Sequence, residues 1–275
     1  MIEPFDKLWN KLFVFNEFNI EYKNISKKIP LILIKDIFKY PDELYDVISK
    51  LSHWPLNRGL DDSARPGISH QFSPIIMNYA SSKFNEKISN IFGVKRVDTT
   101  CMYSTVCYSG MTLDPKGISN IPHFDSPIPN GNRIYPHVVT NFNLSKTSDP
   151  VSTGFWSWMG KCCGLDFTVD ERNLYNLYVN KQSPETKWSQ FKSGGGFEFE
   201  GFMQMPYNSA LIYPTTYLHS PYIENDWFCD SQRLMLSIFS AIAPQNLSYP
   251  IEQKNHIKNI WEKFRLSSYL GYYFD

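Results

Sequence analysis

Apolar and polar positions follow two different rhythms along this chain. From about residue 97 to 242, short runs rich in Val, Ile, Thr and aromatic residues recur, separated by turn residues. They fall at 97–108, 121–125, 136–143, 152–158, 197–205, 208–213, 216–222 and 232–242. Period-two alternation predicts strands, and eight of them match a jelly roll of two packed antiparallel sheets. Before this stretch, PLILIK at 30–35 reads as a further strand. Pro41 opens a predicted helix with Leu44, Val47, Ile48 and Leu51 three and four apart, and a second helix is predicted over 78–92. Residues 52–70, rich in Gly, Pro, Asp and Ser, read as a loop. Residues 166–192 interrupt the strand series. Asp170 is a candidate N-cap there, and Leu174, Leu177 and Tyr178 form an apolar stripe, so a helical insertion is expected. Ile257, Ile260, Trp261 and Phe264 predict a closing helix over 252–268. The expected fold class is mainly β with flanking helices. One domain is expected over 1–275: an α-rich N-terminal buttress (1–95), a β core (96–245) and a C-terminal helix (246–275).

Composition narrows the partners. Of 275 residues, 42% are hydrophobic and 20% charged, which permits a substantial core and excludes intrinsic disorder. Lys plus Arg and Asp plus Glu each number 27, so no basic field favours nucleic acid or an anionic membrane. The longest apolar runs are far too short to span a bilayer. The early residues MIEPFDKLWNKLF lack the order of a signal peptide, and a cytoplasmic location is expected. Five cysteines without a C-x-x-C pair argue against zinc and against a disulfide framework.

The candidate chemistry is concentrated in four residues. His123 and Asp125 are two apart at the end of a predicted strand, so both side chains point to one side. His219 follows a mostly apolar strand and a Pro-Thr turn, and Arg233 opens the next strand. Two imidazoles and one carboxylate make a facial triad that leaves three faces of Fe(II) open for a chelating cosubstrate and O₂. Alternation places Arg233, Met235 and Ser237 on one strand face. A guanidinium aimed into the same cavity would offer a rigid fork to a carboxylate.

On these residues, with STGFWSW (152–158) and MPYNSALIYPTTYLHSP (205–221), the chain resembles the iron(II)/2-oxoglutarate-dependent oxygenases on their prolyl- and phytanoyl-hydroxylase side. It also resembles a poorly characterised bacterial and phage subgroup of them. The resemblance covers about 95–245. It implies a double-stranded β-helix (a cupin-like jelly roll), iron on His123, Asp125 and His219, and 2-oxoglutarate with its far carboxylate on Arg233. It further implies a second cosubstrate contact among Tyr103, Tyr108, Asn143 and Ser237. Two departures stand out. Arg233 lies farther beyond the second His than is usual, and Met235 occupies the place where the family often has Ser or Thr. Asp125 fills the face that related halogenases leave open for chloride, so hydroxylation is the implied outcome.

Two other functions fit the same residues. One is a cupin-like protein that binds a metal or small ligand without oxidation. The other is an iron oxygenase that needs no 2-oxoglutarate, with Arg233 on the substrate's own carboxylate. The expected substrate is a small molecule or an amino-acid or peptidyl side chain. Loops 52–75, 166–192 and 223–231 are expected to shape the entrance.

Overall fold

The computed structural model describes residues 5–52, 68–94, 96–107, 122–125, 137–180, 196–224, 227–243 and 251–266. Its strands are β1 (Asn19–Ile25), β2 (Ile29–Lys35), β3 (Ile68–Gln71), β4 (Arg96–Cys107), β5 (His137–Asn143), β6 (Ser152–Trp158), β7 (Phe197–Gln204), β8 (Ser209–Pro214), β9 (His219–Tyr222) and β10 (Arg233–Ala243). The helices are α1 (Phe5–Leu12), α2 (Pro41–Ile48), α3 (Pro74–Phe92), α4 (Val169–Asn180) and α5 (Ile251–Lys263).

Seven strands form a large sheet in the order β1-β2-β8-β5-β10-β4-β3, and three form a small sheet in the order β7-β6-β9. Their pairings are antiparallel. An isolated bridge between His123 and His219 extends the small sheet past β9. Within this frame β4, β10, β5 and β8 face β7, β6, β9 and the His123 bridge. Apart from the β6–β7 hairpin, successive segments from β4 to β10 pass from one sheet to the other, which is the jelly-roll pattern of a double-stranded β-helix. The fold is mainly β with few helices.

Alternation sorts the large sheet into two faces. One carries Ile32, Ile34, Met102, Val106, Val138, Phe142, Ala210, Ile212, Leu236 and Ile238, packed with α1, α2, α3 and α5 through Trp9, Leu44, Phe84 and Trp261. Phe142 stands at the centre, with ring centroids 5.2 Å from Phe38 and 5.4 Å from Phe84. The other face, with Leu31, Leu33, Tyr103, Val139, Leu211, Tyr213, Met235 and Phe239, packs against Phe155 of the small sheet.

Several details depart from the sequence expectations. The large sheet gains β1 and β3 at its edges. β1, NIEYKNI, is polar and half-exposed, so it carries little hydrophobic signal. The strand expected at 121–125 is reduced to the single bridge at His123 among the described residues. Helix α3 begins at Pro74, four residues before the expected start, because Ser73 caps it by accepting from the Ile76 N–H. It ends on Gly93 at φ 61°, where a Cβ would collide with Ile257 of α5. Helix α4 is capped by Thr168 rather than Asp170. The Thr168 hydroxyl accepts from the Glu171 N–H and the Glu171 carboxylate accepts from the Thr168 N–H, a reciprocal capping box that places Asp170 inside the first turn. All five cysteines are free. Among the described residues, no helix is long and apolar enough to cross a membrane.

Candidate metal centre

The cleft between the sheets is lined by His123, Asp125 and His219 together with Tyr103, Thr105, Asn141, Thr153, Tyr213, Arg233, Met235 and Ser237. It encloses about 480 Å³ of empty space, part of it open to solvent. Backbone bonds set the three ligands in place. His123 and His219 exchange N–H···O bonds of 2.9 and 3.1 Å, which holds them side by side with ring centroids 4.7 Å apart. The Asp125 N–H donates to the Thr215 carbonyl at 3.0 Å, tying the carboxylate to the turn before β9. One ligand atom from each of the three residues lies within 4.8 Å of the others, as a single metal ion requires.

The protonation pattern supports the same reading. His219 Nδ1 lies 2.9 Å from the Tyr217 carbonyl, an acceptor only, so Nδ1 carries a proton and donates. That leaves Nε2 facing the cleft, 3.1 Å from Asp125 Oδ2. Two lone-pair atoms held that close need a cation between them, either a proton or a metal ion. Burial pushes the His219 pKa down, but the Asp125 carboxylate outweighs it and the net displacement is upward. The His123 Nε2 stands 3.7 Å from Asp125 Oδ1, on the other side of the carboxylate. A hydrogen-bonded second nitrogen that orients the ligating one is the usual support for a metal-binding histidine.

Arg233 opens β10 in the same cleft and is only 5% exposed. Its Nη2 donates to the Ser152 carbonyl at 3.4 Å, and its Nε is buried with no partner. No ion pair to it occurs among the described residues. Burial lowers its pKa, yet a guanidinium stays charged, and an uncompensated buried charge costs several kcal/mol. An anion in the cleft would remove that cost.

The remaining sequence candidates separate. Tyr103 lines the cleft, stacked on Phe239 at 5.7 Å. Ser237 also lines it, but its hydroxyl donates to Asn141 Oδ1 at 2.7 Å. Asn143 shares the cleft face of β5, but its amide nitrogen donates to the Met205 carbonyl and its oxygen accepts from the Ser145 N–H. Asn141, one pleat back, is the residue that reaches the cleft. Tyr108 lies outside the described residues. Sequence reasoning missed Asn141, Tyr213, Thr105 and Thr153. Period-two alternation from Asn143, Ser237 and Tyr103 was the signal that could have found the first and third.

A model of the family described as "Family of unknown function (DUF6445)" matches residues 16–140. No curated protein matches the chain. Several solved structures are similar in fold. The non-heme alpha ketoglutarate dependent carbocyclase SnoK from nogalamycin biosynthesis has a TM-score of 0.49 at 9% identity, over 80% of this chain and 82% of that one. HygX from Streptomyces hygroscopicus, with nickel, 2-oxoglutarate and hygromycin B bound, has 0.47 at 10%, over 80% and 85%. The viral collagen prolyl hydroxylase vCPH from Paramecium Bursaria Chlorella virus-1 has 0.41 at 9%, over 84% and 100%. Identities this low speak to fold alone, so the functional reading rests on this chain's own residues.

Proposed function

We propose that the protein is an Fe(II)/2-oxoglutarate-dependent oxygenase that hydroxylates a C–H bond of a small molecule or of an amino-acid or peptidyl side chain. The observation that carries this reading is the buried Arg233, whose Nε has no partner and whose charge has no counter-ion among the described residues, in the same cleft as the His123–Asp125–His219 cluster. A metal site alone fits a binding protein equally well. A metal site beside an orphaned guanidinium fits a ligand that chelates the metal at one end and carries a carboxylate at the other.

The residues present fit both groups. His123, Asp125 and His219 would hold the iron, and Arg233 would hold the far carboxylate of 2-oxoglutarate. When bound, the pair supplies the activation of O₂ that protein side chains cannot perform. The chain's own contribution is positional. The Tyr217 carbonyl keeps the His219 proton on Nδ1, so Nε2 is available to the metal. The bridge between His123 and His219 fixes the spacing of the imidazoles. Arg233 is only 5% exposed and lies near Tyr103, Tyr213 and Cys107, which limits water around its charge and strengthens its grip on an anion.

The test is an anaerobic titration of metal-free protein with Fe(II) and then 2-oxoglutarate, watched for a visible metal-to-ligand charge-transfer band. A band that needs both additions, disappears in His219→Ala and Asp125→Ala, and weakens in Arg233→Ala is the expected result. Iron binding without a band would point to a binding protein or to an oxygenase that uses no 2-oxoglutarate. No iron binding would overturn the reading.

A further inference from the structure

A second concavity shares no lining residue with the metal cleft. It lies between the β1–β2 turn, the loop after β6 and the end of α5, and holds about 710 Å³ of empty space, part of it open to solvent. Its lining is cationic. Lys28, Lys161, Lys263 and Arg265 contribute to it, against the one carboxylate of Asp166. Lys28 pairs with Glu200 at 3.2 Å, Lys161 with Glu171 at 2.6 Å and Arg265 with Asp166 at 2.5 Å. No ion pair to Lys263 occurs among the described residues; its ammonium stands 5.6 Å from the centroid of the Tyr22 ring. One positive charge is therefore left over. The Lys28 and Arg265 side chains are about half-exposed in their pairs. Ion pairs of that kind add little stability, so they can rearrange around an incoming anion at small cost.

Tyr217 is the buried member of the lining, at 3% exposure. No hydrogen bond to its hydroxyl occurs among the described residues. Arg265 and Asp166 are near enough to act on that hydroxyl electrostatically, which places it among the charged groups of the pocket. A buried phenol without a partner is a donor in waiting. Arg265 adds a second unusual feature. It follows α5 at φ 58°, in the left-handed region, with its N–H donating to the Glu262 carbonyl at 3.0 Å. Glycine is the favoured residue at such a helix end, so an arginine there carries backbone strain in exchange for its guanidinium. The helix dipole accounts for a cation such as Lys263 in the last turn. It accounts neither for a strained arginine just beyond nor for the unmet phenol.

We infer that this pocket binds a phosphate-bearing anion, with Lys263, Arg265 and the Tyr217 hydroxyl as its donors. Donors from separate elements suit an oxyanion with oxygens on several sides better than a planar carboxylate. Lysine serves such a group as a point charge and arginine as a fork. The site is independent of the proposed oxygenase chemistry and lies outside its cleft.

Pyrophosphate is the probe, titrated calorimetrically into the metal-free protein at constant ionic strength so that general screening stays fixed. One equivalent should bind. Lys263→Gln, Arg265→Gly and Tyr217→Phe should each weaken binding about tenfold, the size of a hydrogen bond to a charged group. Lys263→Arg should stay within about threefold. Arg265→Gly relieves the left-handed strain, so its unfolding midpoint should not fall, and its loss of affinity is then not a loss of fold. Arg233→Met changes only the metal cleft and should bind pyrophosphate within about twofold of wild type. No saturable binding by wild type would overturn the inference, and so would binding that survives both Lys263→Gln and Tyr217→Phe. Binding lost in Arg233→Met but kept in Lys263→Gln would put the anion in the metal cleft and overturn it as well. None of these outcomes bears on the oxygenase reading, which the iron titration tests by itself.

Discussion

The two faces of strand β10 differ in kind although their residues alternate one by one. Leu234, Leu236 and Ile238 turn toward the helices and are completely buried among apolar neighbours. Arg233, Met235 and Ser237 turn toward the small sheet and are almost as buried, yet they line a cleft with metal-ligating groups and a charge that has no counter-ion among the described residues. Burial alone therefore does not separate scaffold from site here. What separates them is whether a cleft lies beside the buried polar atoms. The helix side gains stability from tight packing. The cleft side retains unmet polar capacity, which folding leaves at a cost and a ligand can recover.

That difference can be broken most severely at the centre of the helix side. Phe142→Ala removes a ring that contacts Phe38 and Phe84 and should lower unfolding stability by about 3–5 kcal/mol. Chemical denaturation would measure it. Co(II) affinity of the folded protein should stay close to wild type. A large loss of metal affinity would mean that the two faces are energetically joined through β5.

The cleft side should respond in the opposite sense. Arg233→Met replaces a buried, uncompensated guanidinium with an apolar side chain of similar length. The metal-free protein should keep its stability or gain about 1–4 kcal/mol, while 2-oxoglutarate affinity falls at least about 30-fold. Denaturation with and without 2-oxoglutarate separates the two effects. A substantial loss of stability without ligand would show that Arg233 is a structural residue with a partner in the folded protein.

The same partition explains what could be read in the sequence. Strands β4 to β10 were legible because each carries an apolar period or run, including β7, which stays largely exposed. β1 was not, because an edge strand with alternating Glu, Lys and Asn side chains leaves no such signal. His123, Asp125, His219 and Arg233 were legible as a set because an H-x-D pair, a distant His and a following Arg suit one metal site, although the paired His123 and His219 stand 96 positions apart. Asn141 and Tyr213 were not, since an Asn and a Tyr inside apolar strands look like ordinary wall. Their place in the cleft and the hydrogen bond between them across β5 and β8 are properties of tertiary register. Asn143 illustrates the limit of face assignment. It has the correct face, yet the turn at the end of β5 occupies both ends of its amide.

The smallest expected effect gives the sharpest contrast. Thr140 lies on the helix side of β5, opposite Ile238 on one neighbour and Ile212 on the other. Its hydroxyl is buried with no hydrogen-bond partner, the same defect that Arg233 Nε shows across the sheet. Thr140 is completely buried and does not line the metal cleft, so a ligand there cannot satisfy it. Thr140→Val keeps the branched shape while removing the unpaired oxygen, and it should raise stability by about 1 kcal/mol. Metal and 2-oxoglutarate affinities should not change, because Thr140 faces away from the cleft. If Thr140→Val instead destabilised the protein, its hydroxyl would have a partner in solution. The unpartnered atoms of this fold would then not mark unmet polar capacity, and the weight placed on Arg233 would have to rest on ligand binding alone.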